Sequence, residues 1–187
     1  MPNDISIRAL TPDDWRIFRS IRLQALQESS GVYLTSYENA VKLSESEWKE
    51  TLDENRKRVF GLFDASSMND PKLIGIAAIF TWREDPTGRT GILAMDYVDA
   101  RYRGRGLSRL LYQGRIDWAL QQEHLTRLVI SHRKGNEASR RAMLSFGFEY
   151  RGQKTIRWPD GADDEDWNYA LDLEPRPVRA GIRASNE

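Results

Sequence analysis

The chain has no cysteine and only two histidines, His124 and His132. That excludes a disulfide framework, a thiolate nucleophile and any cysteine-ligated zinc or iron–sulfur centre. A metal site would have to be assembled from carboxylates; no HExxH spacing exists to start one, and no metal is expected. A GxSxG elbow is missing too, which removes the usual serine-hydrolase reading. No apolar run approaches the roughly 18 residues of a membrane-spanning helix. The opening MPNDISIRAL carries acidic and polar residues where a signal peptide has a cationic and then an apolar stretch. The expectation is a soluble, cytoplasmic protein with no membrane partner. An excess of charge of one sign is absent as well, since 28 Lys and Arg balance 28 Asp and Glu. A basic coat for nucleic acid is therefore not expected, although a local basic patch is compatible with this balance.

What is present is apolar bulk. Six Trp, six Phe and seven Tyr in a chain that is 40% hydrophobic suffice for the core of one ordinary domain. Ile5, Ile7 and Ala9 alternate with polar residues and read as a strand. Thr11-Pro12-Asp13-Asp14 signals a helix start, and Trp15, Phe18, Ile21, Arg22, Ala25 and Leu26 then recur at helical spacing. A helix over 12–28 follows, its arginine-rich character read as a solvated side. Residues 32–43 have weak periodicity and read as a loop or a short helix. Ser44 and Glu47 form a capping-box pattern that opens a helix through about Arg56.

Strands are predicted at 58–64, 73–82 and 90–98, then a helix over 106–122 in which Gly114 signals close packing. A strand at 126–132 and a helix over 136–146, closed by Gly147, come next. Strands at 149–158 and 166–173 flank the turn PDGADDED. The strand–helix–strand unit around 90–132 predicts one parallel pair, and the remaining connections read as hairpins. The fold class is α/β (α+β): a mixed, mostly antiparallel sheet of about 7 strands with about 4 helices, in a single domain over 1–174. The Pro- and Arg-bearing segment 175–187 reads as a mobile tail.

The chemistry concentrates between the third run and the helix after it. Arg101-Tyr102-Arg103-Gly104-Arg105-Gly106 is a turn whose glycines let successive backbone N–H groups approach a phosphate. The positive end of the following helix and three arginines favour an anionic guest. The plain alternative is a surface turn with solvated arginines. A dinucleotide site is excluded, because its third glycine would fall on Arg109, and no GK[ST] follows to make a P-loop.

About thirty residues on, Gly135-Asn136-Glu137-Ala138-Ser139-Arg140-Arg141-Ala142-Met143 leads into Phe146-Gly147-Phe148. Together with RYRGRG this closely resembles the GCN5-related N-acetyltransferase (GNAT) superfamily, whose signature is [QR]xxGx[GA] after the fourth strand and an N…GF segment after the fifth. The element order agrees over roughly residues 4–173. The resemblance implies a central parallel pair splayed to form an acyl-CoA cleft, with acetyl-CoA as co-substrate. It places the coenzyme pyrophosphate on the backbone N–H groups of Arg103, Gly104, Arg105, Gly106, Leu107 and Ser108. It pairs the main chain of Tyr97 and Val98 with the pantetheine arm, as an added strand would pair. Asn136 would meet the pantetheine region, Arg140 or Arg141 a coenzyme phosphate, and Met143 would also belong to the coenzyme site.

The resemblance also implies direct acetyl transfer to an amine of a small molecule or protein, and it leaves room for a homodimer. Many members carry a general-acid tyrosine where this chain has Met143, and a thioether cannot donate a proton. Tyr112, Tyr150 and Ser145 are the conceivable replacements. For a base, Asp96 stands out, because it interrupts the apolar run ILAM-D-YV beside the expected cleft. Its alternative role is to face a neighbouring arginine or a wet edge; His132, ending the next strand beside the cleft, is another candidate, and water relayed from a carboxylate would serve as well. Trp158 and Trp167 flank the acidic turn, which would draw a cationic amine if it stood at the substrate mouth. A catalytically weak acyl-CoA-binding or regulatory module is the alternative function, motivated by Met143. Nucleic-acid binding through the arginines is a third reading, opposed by the charge balance.

Overall fold

The structure, a computed structural model, describes residues 4–53, 57–66 and 71–173. The apolar runs become seven strands: β1 (Ile5–Ala9), β2 (Lys57–Asp64), β3 (Lys72–Thr81), β4 (Thr90–Val98), β5 (Arg127–Arg133), β6 (Glu149–Arg157) and β7 (Asp163–Asp172). Among the described residues five α-helices connect them: α1 (Trp15–Glu28), α2 (Tyr37–Ala40), α3 (Glu45–Thr51), α4 (Ser108–Leu120) and α5 (Glu137–Ser145). The strands form one sheet in the order β1-β2-β3-β4-β5-β7-β6. Every neighbouring pair is antiparallel except β4 and β5.

A core lies on each face of the sheet, which is why β2 and β3 read as near-continuous apolar runs rather than alternating ones. On one face α1 buries Phe18, Ile21, Ala25 and Leu26 against Val59, Phe63, Ile76 and Ala78. Trp48 of α3 closes that layer edge-to-face on Phe18, ring centroids 5.6 Å apart. On the other face α4 sets Leu111, Ile116 and Ala119 against Phe60, Leu62, Ile74 and Ile79, with Leu128 and Ile130 of β5 beside them. Gly114 faces β1, where a Cβ would come within 2.8 Å of Ile7 Cδ1, so the close packing read from the sequence is real.

Three boundaries differ from the sequence reading. Residues 12–14 form a 3-10 turn closed by Asp14 on the Thr11 N–H, and the α-helix starts at Trp15. The α3 helix stops at Thr51 instead of running to Arg56, because the Leu52 N–H closes on Lys49 O at 2.9 Å and turns Leu52 into the core. Residues 54–56 and the expected tail at 175–187 lie outside the described residues. The last strand begins at Asp163 rather than Asp166: Asp163, Asp164 and Glu165 pair with Arg157, Ile156 and Thr155. Arg157 and Asp163 also make a 3.1 Å ion pair across the strands, which offsets the poor strand propensity of the acids.

Two irregularities position the site. The parallel strands pair only over Thr90–Ile92 with Arg127–Val129, after which β5 stays with β7 along its whole length and leaves the edge of β4 free. The second is a bulge in β4. Ile76 pairs with Tyr97 and Ala78 with Ala94, so Met95 and Asp96 together oppose Ala77, and Met95 takes φ 62°. Such a bulge bends the strand and re-aims its side chains. Among the described residues no helix is long and apolar enough to cross a membrane.

Candidate active site

Where β4 leaves β5 the gap widens into a cleft of about 410 Å³. Its walls are Asp96, Tyr97 and Val98 of β4, Arg103, Gly104, Gly106, Leu107 and Ser108 of the turn, Leu111 and Tyr112 of α4, and Asn136, Ala138, Ser139 and Ala142 around α5. Ser29, Val32 and Tyr33, from the loop after α1, close it from above. Gly104 and Gly106 adopt φ 76° and 73° with nothing near their missing Cβ, so conformation rather than space requires glycine at both. Leu107 offers no side-chain cap to the thirteen-residue α4, whose Arg109 and Leu110 N–H groups close on Gly106 O and Leu107 O at 3.1 Å, and the positive end of this helix borders the cleft through Leu107 and Ser108.

Of the coenzyme-site residues expected from the sequence, Tyr97, Val98, Arg103, Gly104, Gly106, Leu107, Ser108 and Asn136 come together on this one cleft. Three others stand off it. Arg105 lies over the Tyr102 ring at 5.2 Å, Arg140 turns to Glu137 at 3.4 Å, and Met143 is fully buried in the core. The Arg103 guanidinium donates Nε–H to the Val98 carbonyl at 2.8 Å and reaches Glu28 at 3.3 Å. That carbonyl keeps a second lone pair. The turn is pinned by Asp99, 3% exposed, which accepts from the N–H and both ends of the guanidinium of Arg101 and has its carboxyl pulled well below the usual range by them.

Asp96 stands at the inner end of the cleft, and both carboxylate oxygens accept from Arg115 of α4, one of them at 2.8 Å. Arg115 has no exposed surface; its Nε–H donates to Leu111 O at 3.1 Å and its guanidinium lies 4.6 Å from the centre of the Tyr112 ring. Asp96 therefore faces a neighbouring arginine, the alternative weighed for it above, while keeping 30% of its side chain exposed. Its carbonyl accepts from the Tyr33 hydroxyl at 2.8 Å. Burial pushes the Tyr33 hydroxyl up to about 12 and that of Tyr112 higher still, so both stay protonated near neutrality.

Of the three hydroxyls considered as proton donors, Tyr112 alone lines the cleft. Tyr150 stands 47% exposed on β6 against Trp167 and Tyr169, and Ser145 donates to Ala142 O at 2.7 Å on the outside of α5.

A second pocket of about 320 Å³ meets the first at Val32, Tyr33, Asp96, Asn136 and Ser139. Phe80, Ile92, Ile130, His132 and Trp158 line it, and so does Arg22. His132 is 4% exposed, stacked on Tyr169 at 5.4 Å, with Nδ1 against Arg133 O at 2.8 Å. Trp158 brings the acidic hairpin to this mouth, but the acids there are paired: Arg133 holds Asp160 at 2.5 Å and Asp164 at 2.8 Å. Trp167 sits away on the sheet beside Tyr150.

Sequence reasoning missed both buried arginines as functional residues. Their signal was available: Arg115 lies one helical turn after Leu111, and Arg22 one turn after Phe18, each on an apolar face. Among the described residues no group of three or more His, Asp or Glu is gathered to hold a metal ion.

Solved structures share this architecture. A GNAT-family acetyltransferase from Streptococcus pneumoniae superimposes with TM-score 0.79 at 18% identity, over 91% of this chain and 100% of that one. The ribosomal-protein-S5-alanine acetyltransferase of Vibrio fischeri gives 0.74 at 18%, over 95% and 98%. RimL, a ribosomal L7/L12 alpha-N-protein acetyltransferase in complex with coenzyme A, gives 0.73 at 14%, over 91% and 95%. At such identities the likeness concerns the fold. No curated protein matches the sequence. The family model for the acetyltransferase (GNAT) family, however, matches residues 21–148, more than half of the chain. The splayed pair, the glycine turn and that match agree, and the chain belongs to the GNAT acetyltransferase family.

Proposed function

We propose that the protein is an acetyl-CoA-dependent N-acetyltransferase that moves acetyl directly to a primary amine. The observation that carries this reading is the free edge of β4 beyond Ile92, opening onto the Gly104–Gly106 turn and the uncapped start of α4. An extended pantetheine arm suits that edge as a guest strand, and a pyrophosphate suits the turn. Acetyl-CoA is a cytoplasmic metabolite, so the reading carries a cytoplasmic location with it.

Acetyl-CoA, when bound, supplies the activated thioester; the amine displaces its thiolate without a covalent enzyme intermediate. Asp96, at the junction of the two pockets, attracts the incoming ammonium. With both oxygens committed to Arg115, it takes the amine's proton through a water rather than by direct contact. Tyr112, kept protonated by burial and lining the cleft, donates its proton to the departing thiolate and recovers one from the nitrogen as the amide forms, while the first amine proton leaves through the water on Asp96. Tyr112 thereby fills the role that Met143 leaves vacant. Arg103, Gly104, Gly106, Leu107 and Ser108 hold the pyrophosphate; Tyr97 and Val98 hold the arm through their main chain, and Asn136 meets it from the opposite wall.

The test is calorimetric titration of acetyl-CoA into the wild type and a Gly104→Glu/Gly106→Glu variant, followed by thiol release with a panel of amines. Binding in the wild type alone, then turnover that Tyr112→Phe lowers by about 100-fold at unchanged acetyl-CoA affinity, is the expected result. Absence of wild-type binding overturns the reading. Binding with no turnover of any amine leaves the acyl-CoA-binding module in its place.

A further inference from the structure

Arg22 occupies the apolar face of α1, between Ile21 and Ala25, and is 6% exposed. Arg22 is one of the residues that line the second pocket. Among the described residues no carboxylate pairs with it, and its Nη1 is buried without a hydrogen-bond partner. Its notable neighbour is the Tyr33 ring, whose centre lies 4.6 Å from the guanidinium carbon. The Tyr33 hydroxyl continues to the Asp96 carbonyl at 2.8 Å, so Arg22 is linked by one side chain to the meeting point of the two pockets.

Arginine does not shed its proton inside a protein, and burial works against the charged form. A guanidinium kept in the interior without a counter-charge is costly, and a hydrocarbon of the same volume would serve the fold better. Arg115 shows how this chain treats a buried arginine whose purpose is internal: it is paired at both oxygens of Asp96. Arg22 has no such partner and instead faces a cavity. Its planar fork matches a carboxylate at two points.

The geometry points to an acceptor that is a free amino acid. Its carboxylate binds Arg22, its amine lies toward Asp96, and its side chain rests on Phe80, Ile92 and Ile130. A cavity of about 320 Å³ suits a molecule of that size. The inference rests on the N-acetyltransfer reading and names the substrate class for it.

The test is thiol release from acetyl-CoA with the free L-amino acids, their carboxamides and phosphoethanolamine, using the wild type and Arg22→Met. The carboxamides stand in for a protein N-terminus, and phosphoethanolamine for an acceptor whose anion is a phosphate. The expected result is at least one free amino acid preferred over its own amide by about 100-fold in kcat/KM. In Arg22→Met that preference falls to below about 5-fold, with acetyl-CoA affinity unchanged and thermal stability equal or higher. Amides that react as well as acids, a preference that survives Arg22→Met, or turnover of phosphoethanolamine alone would overturn the assignment. So would turnover of no compound. In that case retained acetyl-CoA binding marks failure of this inference, and lost binding marks failure of the acetyltransferase reading itself.

Discussion

Arg115 and Asp96 form one ion pair but do not share the same surroundings. The arginine side chain has no exposure and the aspartate has 30%. Removing either partner strands the other, and the cost depends on how much water can reach what is left. Asp96→Ala leaves a fully enclosed guanidinium and should cost about 3–5 kcal/mol. Arg115→Met leaves a carboxylate that can still be hydrated, and a smaller loss of about 1–2 kcal/mol is expected. Urea denaturation of the two variants orders them; equal losses would mean that the pair is wetter than its geometry indicates.

A titration at Tyr33 belongs to the same scale. Burial raises its hydroxyl from 10.0 to about 12, so the folded state holds the proton more tightly than the unfolded chain does. The stability this contributes is whole below pH 10 and is lost as pH rises toward 12. Across that window the wild type should lose more stability than Tyr33→Phe, as followed by denaturation at successive pH values. Parallel curves would place the hydroxyl in water.

At the scale of elements, the functional unit is a strand with one side unpaired. Six residues of β4, 93–98, run past the last pairing with β5, and all of them but the bulged Met95 and Asp96 still pair with β3. A guest strand on that edge should slow amide hydrogen exchange in β4 when acetyl-CoA is added, and slow it also across 103–108, with β1 unchanged. Protection of the turn without β4 would mean that the arm lies elsewhere.

Much of this unit was legible in the sequence. The run from Thr90 to Val98 is bounded by the turn EDPTGR and by Asp99, and its predicted limits are those of β4. The glycines of RYRGRG were read as a turn that lets backbone N–H groups approach a phosphate, and both adopt positive φ. The bulge was not legible, because Met95 enters the left-handed region without being glycine or asparagine and only the pairing with β3 imposes it. The start of β7 was hidden for the opposite reason: Asp163, Asp164 and Glu165 look like a turn until Arg157, Ile156 and Thr155 lie across from them. Arg22 was placed at a face position of its helix without a role, and Arg115 was not singled out. Their burial depends on which neighbours each helix meets, and spacing along one helix gives only the face.

The whole molecule brings three distant segments to the mouth of the second pocket, and a single side chain joins them. Arg133, at the end of β5, donates to Gly31 O at 3.0 Å in the loop after α1, and to Asp160 and Asp164 of the β6–β7 hairpin. Trp158 completes the clamp with its ring 5.1 Å from the guanidinium carbon. None of these groups lines the coenzyme-side cleft, whereas Trp158 lines the acceptor-side pocket. Loss of the clamp should therefore loosen one pocket and spare the other. Arg133→Ala is expected to raise KM for the amine by about 10-fold while the affinity for acetyl-CoA stays put, since no member of the clamp lines the coenzyme-side cleft. Both carboxylates are held below their ordinary 3.8 by this arginine, so the clamp is intact above that pH and weakens as pH falls through the lowered values. The acceptor KM of the wild type should then rise toward that of Arg133→Ala on the acid side, with the variant flat over the same range. A fall in acetyl-CoA affinity in the variant would show instead that the two pockets share one scaffold and open together.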